Sequence, residues 1–126
     1  MTEAGEAMPN PRRTNGSRRN KLRARILREE TTCHLCGQTV DTTLPHGRPA
    51  SPEIDELVPI TFGGSPLDRT NCRLAHRWCN RHRWHRPYQP IRRELHANPP
   101  AFTPAGDLAA EPRRRDLVAV TSRDWW

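Results

Sequence analysis

Residues 33–37 read CHLCG and residues 76–79 read HRWC. In each stretch, two side chains that bind transition metals are separated by two residues, a spacing that lets both face one ion in a tight turn. Together, Cys33, Cys36, His76 and Cys79 supply three thiolates and one imidazole. That is a complete tetrahedral set for Zn²⁺. The sequence therefore predicts a structural zinc site with all four positions filled.

Other assignments of the cysteines stay open at the level of sequence. Cys72 can take the place of His76, which gives four thiolates but leaves six residues between Cys72 and Cys79. The cysteines can also be reduced core side chains without a metal. The repeated two-residue spacing favours the set that contains His76.

Composition explains why a small fold here would need a metal. The chain has 126 residues, enough for one domain, but only 33% are hydrophobic and 13 are proline. A conventional core along the whole chain is not expected, and zinc would replace part of it. The net charge of +7 predicts a strongly negative partner, with DNA first. No apolar run of signal-peptide or transmembrane type is present, so we expect a cytoplasmic protein with no membrane partner.

Local patterns divide the chain into three parts. Residues 1–16 lack periodicity and predict a flexible tail. Residues 17–96 hold a basic helix over 17–30, in which Leu22, Ile26 and Leu27 share a face, followed by the main domain. We predict a loop at 41–52, short strands at 53–59 and 71–76, and a helix from Arg77 to about Arg86, before Pro87. Residues 97–126 predict a proline-rich extension.

The middle of the chain carries a family resemblance. It lies in EIDELVP at 53–59, in Gly63-Gly64, and in NCRLAHRWCN at 71–80. In this order and spacing they resemble zinc-containing HNH endonucleases, whose pattern is Asp-His, Pro, Gly-Gly, Asn and a final zinc pair followed by Asn. The resemblance covers about residues 33–83. It implies a small α+β fold of the ββα-metal, treble-clef-like type, stapled by zinc, with a basic N-terminal helix and extended tails.

The resemblance also implies roles for single residues. Asp55 and Asn80 would hold a catalytic Mg²⁺ or Mn²⁺, since oxygen ligands suit these ions. Asn71 would brace the loop and orient the catalytic base. Cys72 stands where the family has an apolar residue, which predicts a core side chain.

Glu56 departs from the family pattern, which has histidine at this position. A carboxylate with a reference pKa of about 4.3 is a weaker base than an imidazole at about 6.5. Glu56 can be the general base with a raised pKa. It can instead be a second metal ligand, which leaves the base role to a metal-bound hydroxide or to His82. The third alternative is that the site is inactive.

Basic and aromatic side chains complete the prediction. Arg77, Arg81, Arg83 and Arg86 lie on or near the second helix, where we expect them to contact DNA phosphates. Trp78 and Trp84 are expected in the core more than as base-stacking surfaces. The remaining histidines have no predicted role, and the terminal pair Trp125-Trp126 can dock the tail on the domain or on a partner.

The leading functional hypothesis is a metal-dependent DNA endonuclease with little sequence specificity. The general character of the chain is similar to phage-encoded HNH proteins, which implies a location in the host cytoplasm and packaging proteins as possible partners. The first alternative is a non-catalytic DNA-binding or adaptor protein on a degenerate HNH scaffold. The second is a zinc-ribbon-like protein that binds a protein or RNA.

Overall fold

The computed structural model describes residues 16–110, so the predictions for residues 1–15 and for 111–126, including Trp125 and Trp126, lie outside it. Helix α1 spans Gly16–Glu29, which confirms the predicted basic helix. Its apolar stripe is narrow: Ile26 is fully buried, while Leu22 and Leu27 pack at the edge of the core. The arginines and the lysine occupy the remaining faces, because a helix of this composition has only one side to bury.

An antiparallel hairpin forms the centre of the fold. Strand β1, Pro52–Glu56, pairs with strand β2, Cys72–His76, in a register that sets Pro52 opposite His76 and Glu56 opposite Cys72. Helix α2, Arg77–Arg83, follows β2 without a break. The two strands and the helix therefore follow in the order expected from sequence, and the fold is small α+β. Its assignment to the ββα-metal type stays a prediction.

Two glycines shape the long connection between the strands. Gly63 has φ +92° and closes the 3₁₀ turn Ile60–Phe62, a conformation that L side chains seldom adopt. Gly64 lies so close to the Val58 carbonyl that a β-carbon would overlap it. The Gly-Gly pair is thus required by backbone geometry at two neighbouring positions.

The weakly patterned, proline-rich sequence after α2 contains regular structure up to Ala110. Helix α3 spans Tyr88–Ala97 and buries Ile91 and Leu95, and strands β3, Ala101–Phe102, and β4, Leu108–Ala110, form a second hairpin. Pro90 lies in the first turn of α3, where proline is tolerated because its nitrogen needs no partner. The packed region therefore reaches Ala110.

One core joins these elements. It consists of buried side chains from α1, residues 33–40, β2, α2 and α3. These are Ile26, Cys33, Leu35, Cys36, Val40, Cys72, Leu74, Ala75, Cys79, Ile91 and Leu95. Four of these eleven are cysteines, so the core is small for its number of residues. Among residues 16–110 no helix combines the length and the apolar character needed to cross a membrane.

Glu30, directly after α1, connects this end of the helix to β2 and to Arg69 through hydrogen bonds and ion pairs. Glu30 accepts hydrogen bonds from the Leu74 N–H (3.1 Å), from Arg69 (2.7 Å) and from Arg73 (3.1 Å). Burial alone would raise the pKa of Glu30, but these hydrogen bonds outweigh it and hold that pKa below its ordinary value. These contacts offset the unfavourable position of an acid at the end of a helix.

Replacement of Glu30 by glutamine is expected to destabilise the protein at neutral pH by about 1–2 kcal/mol, because it weakens a set of charge-assisted hydrogen bonds. Since the pKa is lower in the folded than in the unfolded chain, the stabilisation is present above about pH 4.5 and is lost as the pH falls through the folded pKa. Urea unfolding at several pH values should show the two proteins converging below pH 4.5. Glu29→Gln, at a side chain that is 45% exposed, is the matched control and should change stability less. An unchanged difference between Glu30→Gln and wild type at low pH would contradict the assignment.

Candidate functional site

The structure brings the four predicted zinc ligands together. The ligand atoms of Cys33, Cys36, His76 and Cys79 all lie within 4.8 Å of one another, and all four side chains are buried. His76 Nδ1 is 3.4 Å from Cys36 Sγ and 3.8 Å from Cys79 Sγ. Ligands of a tetrahedral zinc ion are about 3.5–3.8 Å apart, given Zn–S and Zn–N bonds of about 2.3 and 2.0 Å. The cluster can hold a structural metal ion such as zinc.

The surroundings of the cluster suit thiolate ligands. The backbone N–H groups of Cys36 and His76 point at Cys33 Sγ, at 3.5 and 3.4 Å. His76 Nε2 lies 3.1 Å from the Thr39 carbonyl, which fixes the ring so that Nδ1 faces the cluster. The ring of Phe102 covers His76 at 4.6 Å between ring centres, so the β3–β4 hairpin shields this side.

Two cysteines of the cluster have pKa values that shift in opposite directions. Hydrogen bonds from Cys33 and Cys79 lower the pKa of Cys36 to about 3. Hydrogen bonds with Cys33 and Cys36, together with burial, raise the pKa of Cys79 far above its ordinary value. The hydrogen bonds within the cluster thus favour the thiolate at Cys36 and the thiol at Cys79. A bound zinc ion would supply positive charge that stabilises thiolate ligands.

Cys72 lies outside the cluster. It is fully buried in the core, and its thiol donates to the Pro66 carbonyl at 3.6 Å. Burial raises the pKa of this thiol to about 11, which disfavours the thiolate that a metal needs. The structure therefore supports the ligand set with His76 and places Cys72 in the core, as the resemblance implies.

One cleft brings together the predicted metal ligands Asp55 and Asn80 and the predicted base Glu56, but not Asn71. It has a volume of about 260 Å³ and lies between β1, α2 and the residues after α2. Asp55 and Glu56 line it from β1, Asn80 from α2, and His85 from the turn that follows. Residues separated by more than twenty positions in the chain thus share one open space. Their catalytic and metal-binding roles stay predictions.

Asp55 is held firmly by its neighbours. Its side chain is only 7% exposed, and Oδ2 accepts hydrogen bonds from Arg83 and from His34 Nε2, both at 2.8 Å. His34 sits between the two cysteines of the first zinc pair, so the zinc turn itself positions this imidazole. Sequence reasoning left His34 without a role. The position of His34 inside the CxxC pair could have indicated a role, because a metal-bound turn fixes the direction of the side chains between its two cysteines.

Asn80 and Glu53 form a second polar group in the cleft. Asn80 Nδ2 donates to Glu53 Oε1 at 2.9 Å, and Arg77 donates to Glu53 Oε2 at 3.0 Å. Arg81 is 3.7 Å from the same carboxylate and its side chain is 62% exposed. Glu53 was not predicted as a site residue. It faces Asn80 because residues two apart on a strand, here Glu53 and Asp55, lie on the same face.

The structure corrects the prediction that Arg83 contacts DNA. Arg83 is 2% exposed and turned inward, where it donates to Asp55 and to the carbonyls of Glu56 (2.8 Å) and Leu57 (2.7 Å). Arg86 is half-buried and donates to the carbonyls of His82 and Arg83 at the end of α2. Arg77 is engaged with Glu53. Of the four predicted phosphate contacts, Arg81 has the most exposed position.

The structure places His82 outside the cleft and Trp84 at the surface. His82 is not in the cleft: it lies 3.0 Å from Glu94 and stacks on Trp78, so it is poorly placed for the base role considered for it. Trp78 packs against the core, as expected, but Trp84 is 60% exposed, which corrects its assignment to the core.

Asn71 spans the loop between the strands. Its Nδ2 donates to the carbonyls of Val58 and Ser65 at 3.0 Å each, and its Oδ1 accepts from the Val58 N–H at 2.9 Å. The loop that follows Glu56 is therefore held in place by one amide side chain.

A scan of protein-family models, a search of curated proteins and a search of solved structures each found no match for this chain.

Proposed function

We propose that this protein is a metal-dependent DNA endonuclease that hydrolyses phosphodiester bonds in the cleft between β1 and α2. The observation that carries the proposal is that Asp55, Glu56 and Asn80 line one cleft. Asn80 directly follows Cys79 of the Cys3His group, which could hold a structural metal ion. The net charge of +7 supports a polyanionic substrate.

The donor groups of the cleft have the chemistry for a hard divalent ion. Glu53, Asp55, Glu56 and Asn80 line it, of which Glu53 and Asp55 share one face of β1, and oxygen ligands suit Mg²⁺ or Mn²⁺. When bound, such an ion would stabilise negative charge on the phosphate oxygens as a Lewis acid. Asn80 uses its NH₂ group on Glu53, so its carbonyl oxygen is the atom that would ligate the ion.

Two residues of the cleft can take a proton from the attacking water. Glu56 occupies the position where the family resemblance has histidine. His85 is exposed and lines the same cleft, and an imidazole is well suited to this role near neutral pH. His85 thus offers an explanation for the tolerance of glutamate at position 56. Arg81 would hold a phosphate at the edge of the cleft.

Nicking of supercoiled plasmid by zinc-loaded protein in Mg²⁺ or Mn²⁺ tests the proposal. We expect Asn80→Ala to abolish nicking and His85→Ala to reduce it by about 10²–10⁴-fold, the usual range for a general base. His46→Ala is the control, since His46 is also exposed and does not line the cleft, although its own pocket beside α1 shares Glu53 and Glu56 with it. A metal-free buffer replaces EDTA, which would also remove zinc. Absence of nicking in every metal, or nicking that Asn80→Ala leaves intact, would overturn the proposal.

A non-catalytic DNA-binding protein is the second candidate, and one observation favours it. The acids of the cleft are already paired with arginines, Asp55 with Arg83 and Glu53 with Arg77. A divalent ion would have to share these carboxylates with fixed positive charges. Wild-type protein that binds DNA but does not nick it under any condition, with zinc bound, would support this candidate.

A further inference from the structure

An apolar groove adjoins the cleft on its outer side. It has a volume of about 780 Å³ and lies between the loop after β1 and the residues that follow α2. Its walls are mainly hydrophobic and aromatic, and include Leu57, Val58, Pro59, Phe62, Trp84 and Tyr88. The groove and the cleft share Pro59, Trp84 and His85, so they form one continuous surface.

The exposed hydrophobic side chains of the domain are concentrated in this groove. Within residues 16–110, the large hydrophobic side chains that are exposed are Val58 (45%), Phe62 (68%) and Trp84 (60%), and all three line it. Single exposed hydrophobic residues are ordinary on protein surfaces, but a group of them around one concave site indicates binding.

The backbone at Trp84 is strained. Trp84 follows the last residue of α2 with φ +52° and ψ −124°, and it is the one non-glycine residue with positive φ in the described part of the chain. Glycine would adopt this conformation without a steric cost. A tryptophan at a position that favours glycine suggests that the ring itself is used, since such strain is concentrated at functional sites.

The charge beside the groove fits a nucleic acid. Arg81 is the exposed arginine of the cleft, and the chain as a whole has a charge of +7. Aromatic faces next to a basic surface are the combination by which proteins bind single strands, because every base can stack on a ring while its phosphate meets a cation. In a duplex the bases already stack on each other and present no free face. A groove of this kind would therefore favour unpaired over paired DNA.

We propose that this groove binds unpaired bases of DNA, with Trp84 and Phe62 as the stacking residues, and that the cleft beside it therefore acts on single-stranded segments. This inference rests on the proposed function for its substrate class. A base seated on Trp84 would place its own phosphate at the shared border of groove and cleft, near Arg81. The two rings belong to different segments, so one base could pack between them or two successive bases could use one ring each.

Fluorescence anisotropy with an oligothymidylate of about 12 nucleotides, which cannot pair with itself, tests the inference. Binding is measured with zinc-loaded protein and without other divalent ions. Wild type should bind the single strand more tightly than a duplex of equal length. Trp84→Gly and Phe62→Ala should each weaken single-strand binding by about 5–150-fold and leave duplex binding nearly unchanged.

Trp84→Gly has a second readout that separates lost stacking from lost structure. Because glycine relieves the positive φ, the Tm of this variant should equal or exceed that of wild type while binding falls. Oligothymidylate should quench tryptophan emission of wild type and of the control Trp78→Phe, but much less that of Trp84→Gly. Equal affinity for single strand and duplex, with no effect of Trp84→Gly, would overturn the inference. A dimer that forms through Trp84, without preference for single strands, would also overturn it.

The outcomes separate the inference from the proposed function. Single-strand binding through Trp84 without any nicking would remove the nuclease proposal and keep the inference. Nicking of single- and double-stranded DNA at equal rates, unaffected by Trp84→Gly, would support the nuclease proposal and remove the inference.

Discussion

Replacement of Cys33 by serine is expected to abolish zinc binding and to unfold the domain. Cys33 is fully buried and accepts two backbone N–H groups at its sulfur. Structural zinc sites supply about 10–16 kcal/mol of apparent binding free energy, which equals or exceeds the total stability of a typical domain. With a core in which four of eleven residues are cysteines, little is left to hold the fold once the metal is lost.

Cys72→Ala is the matched control for Cys33→Ser. Cys72 is equally buried but lies outside the cluster, so the variant should retain one zinc ion per chain and lose only the packing of a small side chain, about 1–2 kcal/mol. Zinc content by atomic emission, together with circular dichroism, distinguishes the two variants. Chelation of zinc from wild type should reproduce the effect of Cys33→Ser. A folded, zinc-free Cys33→Ser protein would show that the metal is not structural.

The zinc cluster and the cleft are linked through His34. The zinc turn directs this imidazole to Asp55, and Asp55 lines the cleft. Loss of zinc would therefore release Asp55 even if part of the hairpin survived. For this reason nuclease assays need zinc-loaded protein. The zinc content should be unchanged after the assay, so that the added divalent ion has not replaced zinc at the cluster.

Features that depend on short spacing were predictable from sequence. The zinc ligands follow two local patterns, and α1 follows one apolar stripe, so both were found. Helix α3 was not predicted, because the sequence after α2 is rich in proline and weakly patterned, although Pro87 precedes the helix and Pro90 lies in its first turn. The β3–β4 hairpin has strands of two and three residues, whose position depends on contacts such as Phe102 on His76. No local pattern contains that contact.

Arg83 shows why a charged side chain can mislead. From sequence, an arginine on a basic helix is most simply a surface residue, and in a basic protein a phosphate contact. The partners that bury it, Asp55 and the carbonyls of Glu56 and Leu57, lie more than twenty residues away. Only the folding of β1 against α2 brings them to its guanidinium. The buried guanidinium of Arg83 is also placed to compete with any divalent ion for the carboxylate of Asp55.

Arg83→Met is expected to destabilise the protein by about 3–5 kcal/mol, because it leaves a buried carboxylate without its ion-pair partner and two carbonyls without a donor. Arg83→Lys should recover only part of this loss, since one ammonium group cannot reproduce the fork of the guanidinium. Arg81→Met, at a side chain that is 62% exposed, is the control and should cost less than about 0.5 kcal/mol. Urea unfolding with saturating zinc gives all three values.

The same variant tests whether Asp55 can serve a divalent ion. In wild type the Arg83 guanidinium already neutralises Asp55, so Mg²⁺ or Mn²⁺ should stabilise the folded state little if it must compete with this pair. In Arg83→Met the carboxylate keeps His34 as a partner but loses the guanidinium, and either ion should then raise the Tm more than in wild type. If the ions stabilise both proteins equally, Arg83 and the metal do not compete, and Asp55 is compatible with the catalytic role. If they stabilise only Arg83→Met, the buried arginine holds the place of a metal ion, and Asp55 of the natural protein is not available as a metal ligand, which counts against the proposed nuclease.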